Sequence, residues 1–276
     1  MIDFHVHSKH SIDSHAEMED MVRAGIGAGL KAMCFTTHID LNPFRRGIDP
    51  FMRIDGKLRL LDNTAVGAYL DEIAELRARY SGEIQLWSGF ELSYMPHYDA
   101  IARDFVVKHP VDFVLGAVHC LENISVTASS EADGYLRSTA PSAIAEDFCD
   151  KTIAIARSKI FSTIAHVDGI KKYARRLYGT HIDRELEKLF PKVFDEIAKA
   201  GVGIEINTSA MRKGYSDFYP SRNILEMARE AGVRVNSIGS DAHRAGDVGY
   251  KLDEALTLIR EVGIGVGEPL RGFLGV

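Results

Sequence analysis

Seven short apolar runs alternate with helical stretches along this chain, and that alternation constrains the fold more than any other feature. The runs occupy residues 2–6, 31–36, 83–90, 112–117, 160–165, 202–206 and 233–239. Between the first two, Met18, Met21, Val22 and residues 24–30 predict a helix with Gly29 near its end. In 64–81, Val66, Leu70, Ile73, Leu76 and Tyr80 keep the i, i+3/i+4 beat of a helix, with Gly82 placed to cap it. Residues 141–157 open on Pro141 and carry Ile144, Phe148, Ile153 and Ile155 at helical spacing. Residues 183–200 do the same with Leu186, Leu189, Val193 and Ile197, and Pro191 is expected to split that stretch into two helices. Residues 221–231 and 250–262 predict the last two.

Strands that alternate with helices imply βαβ units and a mostly parallel sheet. Seven such units in 276 residues predict an α/β barrel, read as one domain over residues 1–276. An open doubly wound sheet is the alternative, weakened because no Gly-rich nucleotide fingerprint follows the first run. No linker, internal repeat or low-complexity segment interrupts the pattern. Residues 39–63 and 120–140 lack clear periodicity and read as long loops, a kind that often covers or builds a site.

A barrel builds its site at the C-terminal ends of its strands. Each run here ends in a group that can bind a metal or form a hydrogen bond. His5 and His7 alternate with Ile2, Phe4 and Val6, so a strand turns both rings to one face, about 7 Å apart along the chain. Asp13 follows them; Thr37 and His38 end the second run, Glu91 and Ser93 follow the third, and His119 follows the fourth. His166 and Asp168 follow the fifth, Glu205 and Asn207 the sixth, Asp241 and His243 the seventh. Six of the 11 histidines fall at these ends, which random scatter would not produce.

Six imidazoles and several carboxylates are too many ligands for one tetrahedral zinc ion. Asp13, Glu91 and Asp241 gathered in one mouth would repel each other without cations. Mixed imidazole and carboxylate donors suit zinc, iron or manganese, and paired ions can clamp a phosphoryl group. The net charge of −6, with no basic block, argues against nucleic acid as a partner. No apolar run is long enough to span a membrane, and no basic segment followed by an apolar one marks a leader. The three cysteines have no CxxC spacing, and Cys34 reads as a buried free thiol. A cytoplasmic enzyme with a small phosphorylated substrate fits these features; whether it forms an oligomer stays open.

Asp3-Phe-His5-Val-His7, Asp13, Thr36-Thr37-His38, Gly89-Phe-Glu91, Gly116-Ala-Val-His119, Ile164-Ala-His166 and Gly239-Ser-Asp241-Ala-His243 together resemble the ordered motifs of the PHP (polymerase and histidinol phosphatase) superfamily. The likeness runs over nearly the whole chain. Within it, Glu205-Ile-Asn207-Thr-Ser-Ala-Met-Arg212-Lys213 and Tyr219-Pro220-Ser221 resemble the histidinol-phosphatase branch. The resemblance implies a distorted (β/α)7 barrel with a trinuclear site of two to three divalent ions (Zn, Fe or Mn). His5, His7, Glu91 and Asp241 would hold the first ion, Glu91 would bridge to a second on His119 and His166, and Asp13, His38 and His243 would hold the third. His15 stands as a backup ligand.

The activity implied is hydrolysis of L-histidinol phosphate in histidine biosynthesis. The alternatives are another small phosphomonoester, or a PHP module that binds metal without catalysis. Glu91, Asp241, His243 and Asp168 are the expected catalytic groups, with Asp168 or the His243 region supplying the leaving alkoxide with a proton. Arg212, Lys213, Asn207 and Glu205 are the candidates for substrate binding, but Glu205, a carboxylate inside a buried strand that needs a partner, reads first as a support for the metal ligands. Lys171, Lys172, Arg175 and Arg176 are further phosphate candidates, Arg45 and Arg46 lie in a loop able to close over the site, and Trp87 reads as packing. Thr37 stands where the family usually has Asp, and Ala210 where it often has Gly, so the orientation of His38 must come from another residue.

Overall fold

Each of the seven apolar runs forms a strand of one parallel sheet. The computed structural model describes residues 1–275. In chain order the elements are β1 (Ile2–Val6), α1 (Met18–Gly27), β2 (Ala32–Asp40), β3 (Phe51–Ile54), β4 (Lys57–Leu60), α2 (Asn63–Arg79), β5 (Gln85–Ser93), α3 (Asp99–Lys108), β6 (Phe113–Ala117), β7 (Cys120–Leu121) and β8 (Ile124–Ser125). They continue with α4 (Ser129–Ser138), α5 (Pro141–Ser158), β9 (Thr163–Ile164), α6 (Lys171–Tyr178), α7 (His181–Ala200), β10 (Gly203–Asn207), α8 (Ser209–Arg212), α9 (Arg222–Glu230), β11 (Val235–Gly239), α10 (Leu252–Val262) and α11 (Leu270–Leu274).

The sheet order is β1-β2-β5-β6-β9-β10-β11, all pairs parallel. Its outer strands then meet: His7 donates its N–H to Ala242 O at 2.8 Å, and Asp241 donates its own to His5 O at 2.8 Å. The sheet therefore closes almost fully into a (β/α)7 barrel. Its distortions are local. β9 pairs through only two residues, and register slips occur between Asp3 and Val6 and between Ile204 and Glu205.

The helices form where one face can be buried. In α2, Asp62 accepts the N–H of Ala65 at 2.8 Å as N-cap, and Ala65, Val66, Tyr69, Ile73 and Leu76 face inward. The Tyr69 hydroxyl reaches both Phe35 O and Gly89 O, at 2.9 and 2.7 Å, which pins α2 on β2 and β5. α2 ends at Arg79 with Tyr80 as cap, so Gly82 does not close it. Gly29, in contrast, does take the left-handed conformation (φ +70°) just past α1.

Two further expectations change. α7 runs unbroken through Pro191. The missing N–H costs about 3 kcal/mol in a helix interior, but Leu186, Phe190, Val193, Phe194 and Ile197 on both sides of it form one buried face. The rings of Phe190 and Phe194 stack at 5.1 Å, and α7 lies along α5. Burying such side chains contributes roughly 1.5–3 kcal/mol each, which outweighs the lost bond.

The two long loops also hold more structure than their sequence suggests. The first contains a turn at Pro43–Arg45 and the β3–β4 hairpin, whose tip residues Asp55 and Gly56 have positive φ. The second contains the β7–β8 hairpin, turning at Glu122 and Asn123, and then α4. Trp87 packs edge-on to Phe4 at 5.0 Å. The three cysteines are free and buried, and no helix among the described residues is long and apolar enough to cross a membrane.

Candidate metal centre

Glu91 sits at the C-terminal end of β5, almost fully buried, with five imidazoles around its carboxylate. Its Oε2 lies 3.3 Å from His5 Nε2, 3.5 Å from His7 Nε2 and 2.8 Å from His38 Nδ1. Its Oε1 lies 3.1 Å from His119 Nε2 and 2.8 Å from His166 Nε2. These rings come from β1, β2 and the segments after β6 and β9, so the barrel assembles what the sequence scatters.

Asp241 and Asp13 complete the ring. Asp241 Oδ1 lies 3.4 Å from His7 Nε2, 3.6 Å from His243 Nδ1 and 3.8 Å from His5 Nε2. Asp13 Oδ2 lies 3.2 Å from His243 Nε2 and 3.5 Å from His38 Nε2. The His7 ring stacks between those of His38 and His243, at 4.3 and 4.2 Å. The structure thus brings His5, His7, Asp13, His38, Glu91, His119, His166, Asp241 and His243 to one mouth.

The electrostatics follow from burial and crowding. Burial alone would raise Glu91, but His119, His5 and His38 hold it well below the usual carboxylate range. The same opposition lowers Asp241, through His5, His7 and Lys213, and Asp13, through His38 and His243. Burial pushes His7 down to about 3, helped by His243 and His38. Its ring is therefore neutral, the form in which imidazole binds metal. Burial also lowers His5, but Glu205, Glu91 and Asp241 outweigh it and the net shift is well upward.

The donor set fits divalent cations. His5 Nε2, His7 Nε2, Glu91 Oε2 and His243 Nε2 are buried and lack a hydrogen-bond partner, a costly state for polar atoms. The other ring nitrogens of His5 and His7 are occupied, paired with Glu205 Oε1 at 2.7 Å and Ser11 Oγ at 3.0 Å. That arrangement turns both Nε2 atoms to the mouth. Within the ring, three donor groups lie close enough to share an ion: His5–His7–Asp241, His7–His38–His243 and His38–Glu91–His119.

A second layer orients these ligands. Glu205 also accepts the backbone N–H of His166 at 3.1 Å through its Oε2, and Asn207 Nδ2 donates to the same oxygen at 3.3 Å. Ser11 Oγ accepts the backbone N–H of His38 at 3.2 Å and lies 2.9 Å from Thr37 Oγ1. The Ser11 hydroxyl thus holds the backbone of His38, while its ring lies between Glu91 and Asp13. Asp3 accepts backbone N–H groups from Ser240 and Gly249, at 2.8 and 2.9 Å, and so fixes the loop that carries Asp241.

Several expected substrate or catalytic residues lie elsewhere. Glu205 and Asn207 are fully buried behind His5 and do not line the cavity. Asp168 is also fully buried, 2.7 Å from Lys171 Nζ, and accepts the N–H of Ser221 at 3.2 Å. The cause is the shortness of β9: the chain turns at His166 (φ +26°), Gly169 donates to His166 O at 2.6 Å, and Asp168 points away from the mouth. Arg212 lines the cavity, but its guanidinium donates to Ser240 O at 2.6 Å and Asp241 O at 2.8 Å. Arg175 pairs with Asp183, and Arg45 turns inward to Asp49, Glu131 and Asn123 O.

The cavity above the ring measures about 710 Å³. Lys213, whose ammonium burial pushes below its usual value, lines it beside Lys172. Ser209, Thr127, Tyr219, Arg244 and Asp20 also line it; Ser209 and Tyr219 fall in the motifs quoted above and Thr127 in the second long loop, while Arg244 and Asp20 carry no expectation from sequence. Ser209 had the best signal, since it lies two residues past Asn207 at the end of β10 and donates to Asp241 Oδ2 at 3.0 Å. His15 lines the cavity but belongs to none of the three donor groups.

Known proteins share this arrangement of chain. The model of the PHP domain family matches residues 3–209. A Deinococcus radiodurans protein named "Probable histidinol-phosphatase" is 26% identical over 95% of this chain and 94% of its own length. A Lactococcus lactis "Histidinol-phosphatase" is 24% identical over 95% of this chain and 91% of its own. A solved structure of histidinol phosphate phosphatase from L. lactis, complexed with Zn, L-histidinol and phosphate, superposes with a TM-score of 0.77 at 22% identity, covering 96% of this chain and 94% of that one.

Proposed function

The chain belongs to the PHP domain family, and from that premise we propose that it is a metal-dependent phosphoric monoester hydrolase converting L-histidinol phosphate to L-histidinol and phosphate, a step of histidine biosynthesis. The carrying observation is the Glu91 carboxylate inside five imidazoles, two of which, His5 and His7, present Nε2 atoms without a hydrogen-bond partner. The similarity to relatives named for this activity, over nearly their whole length, supports the choice of substrate.

In this reading the site takes two to three divalent ions, Zn, Fe or Mn. His5, His7, Glu91 and Asp241 would hold one, His119 and His166 with Glu91 a second, and Asp13, His38 and His243 a third. Bound divalent ions neutralise phosphate oxygens and lower the pKa of a water ligand toward about 7.

The chain's own residues do the rest. Glu205 and Ser11 lock the rings of His5 and His7. Lys213 and Lys172 present positive charge to the phosphate from the cavity wall. Arg212 holds the Asp241 loop through two carbonyls, a positioning role. With Asp168 sequestered by Lys171, the His243 region at the mouth is left of the two expected groups to return a proton to the leaving alkoxide.

Phosphate release from L-histidinol phosphate, measured beside a panel of sugar and nucleotide phosphates, tests the substrate. Selective turnover of L-histidinol phosphate is expected, and equal, poor rates on the whole panel would overturn it. A protein that takes up no Zn, Fe or Mn and stays inactive after reconstitution would instead be a module without catalysis.

A further inference from the structure

Asp241 divides its two oxygens between two surroundings. Oδ1 faces the imidazoles of His5, His7 and His243, and Oδ2 accepts the hydroxyl proton of Ser209 at 3.0 Å. Ser209 is buried at the start of α8, and its N–H donates to Asn207 Oδ1 at 3.0 Å. The N–H of Thr208, just before it, donates to Gly239 O at 2.9 Å. The serine backbone is therefore tied to the ends of β10 and β11, close to the loop that carries Asp241.

The same hydroxyl has a second partner. Lys213, four residues on, donates from its Nζ to Ser209 Oγ at 3.2 Å. An ammonium only donates and a carboxylate only accepts, so a hydroxyl, which does both, can join them. The order is fixed: Lys213 Nζ to Ser209 Oγ to Asp241 Oδ2. One N–H of the ammonium is spent on Ser209, and two are left for the cavity that Lys213 lines. Arg212, on the same short helix, holds the backbone at Asp241, where φ is +54°, through Ser240 O and Asp241 O. α8 thus grips Asp241 twice, its backbone through Arg212 and its carboxylate through Ser209.

Resting on the reading of the ring as a metal centre that takes a phosphate, we propose that Ser209 is a positioning residue that makes the metal ligand Asp241 and the phosphate-facing cation Lys213 one unit. Its proton holds Asp241 Oδ2, which keeps Oδ1 turned to the imidazoles. Its lone pair holds the Lys213 ammonium at the cavity wall. Without the hydroxyl the carboxylate is free to rotate, and the flexible four-carbon stem of Lys213 loses its anchor. Linked hydrogen bonds also strengthen one another, so loss of the middle member weakens both ends.

Two binding constants test this. Zn²⁺ affinity is measured by competition with a chelating dye, and inorganic phosphate is titrated into the chain at saturating Zn²⁺. Both are measured for the native protein, Ser209→Ala, Lys213→Ala and the double variant. Ser209→Ala removes one oxygen and keeps the backbone bond to Asn207. It is expected to lower Zn²⁺ affinity by about 10–100-fold. Lys213→Ala is expected to weaken phosphate by about 10–150-fold in the native background, but by no more than about threefold once Ser209 is already Ala. A residue that only supports the fold would not produce that coupling. An equal loss from Lys213→Ala in both backgrounds would overturn the proposal, and so would native Zn²⁺ affinity in Ser209→Ala. A chain that shows the coupling and leaves L-histidinol phosphate intact would keep the role of Ser209 and lose the substrate.

Discussion

His5 Nδ1 lies 2.7 Å from Glu205 Oε1, a contact between β1 and β10 across 200 residues of sequence. Both side chains are fully buried. The contact settles which nitrogen of His5 faces the mouth, and the second oxygen of Glu205 holds the N–H of His166. One carboxylate thus orients ligands on two strands. Glu205→Gln removes the negative charge behind His5 while keeping the shape. Partners of this kind typically contribute 10–100-fold in metal affinity, so Zn²⁺ affinity measured by competition with a chelating dye should fall by about that much. Unchanged affinity would remove Glu205 from the account.

Gly239 shows how tightly that pair is packed. A Cβ there would lie 2.2 Å from His5 Cβ and 2.5 Å from Glu205 Oε1. Gly239→Ala should destabilise the protein by about 1–3 kcal/mol and lower Zn²⁺ affinity with it. At Gly134, in α4, a Cβ would meet open space, with nothing within 4 Å. Gly134→Ala should stabilise by up to about 1 kcal/mol. Urea midpoints for the two variants should move in opposite directions.

Removing metal should cost stability as well as turnover. Ions that bind only the folded chain stabilise it by roughly 2.7 kcal/mol at a hundredfold excess over Kd. Chelation should therefore lower Tm, and Zn²⁺ should restore it. An identical Tm with and without metal would mean that the buried nitrogens of His5 and His7 do not bind it.

Arg212 and Lys213 should separate in kinetics. Arg212 spends its donors on Ser240 O and Asp241 O, so Arg212→Ala should act mainly on kcat, by displacing Asp241. Lys213→Ala should act mainly on KM, by about 10–150-fold, the range of one charge-assisted hydrogen bond of about 1.5–3 kcal/mol. The reverse split would exchange their roles.

Arg45 joins the two long loops through Asp49, Asn123 O and Glu131. Its partners are partly exposed, which screens the pairs. Arg45→Lys cannot reproduce the fork, so it should loosen the loops almost as much as Arg45→Ala. Faster amide hydrogen exchange over 120–138 in both variants is the readout; protection retained in Arg45→Lys would argue against the clamp.

What the sequence revealed follows a physical division. Strand ends were legible because apolar runs between helices impose βαβ units, and a barrel then delivers whatever follows each strand to one end. His5, His7, His38, Glu91, His119, His166, Asp241 and His243 are placed by that rule alone. Asp168 escapes it because β9 is two residues long and the chain turns at His166. The supporting role of Glu205 was legible, because a carboxylate inside a buried strand needs a partner, but which ligand it meets, and that Asn207 lies beside it behind His5, depends on the neighbouring strands. The inward turn of Arg45 depends on Glu131, far away in sequence, and no local pattern announces it. Pro191 misleads for the opposite reason, since a local rule yields there to burial on both sides.

Glu91 is the residue on which the metal centre depends most, because one carboxylate faces five imidazoles. The decisive measurement is phosphate release from L-histidinol phosphate by Glu91→Ala, with bound metal counted in the same sample. The predicted result is that metal content falls and turnover is abolished while the chain stays folded. Full turnover retained in Glu91→Ala would contradict it.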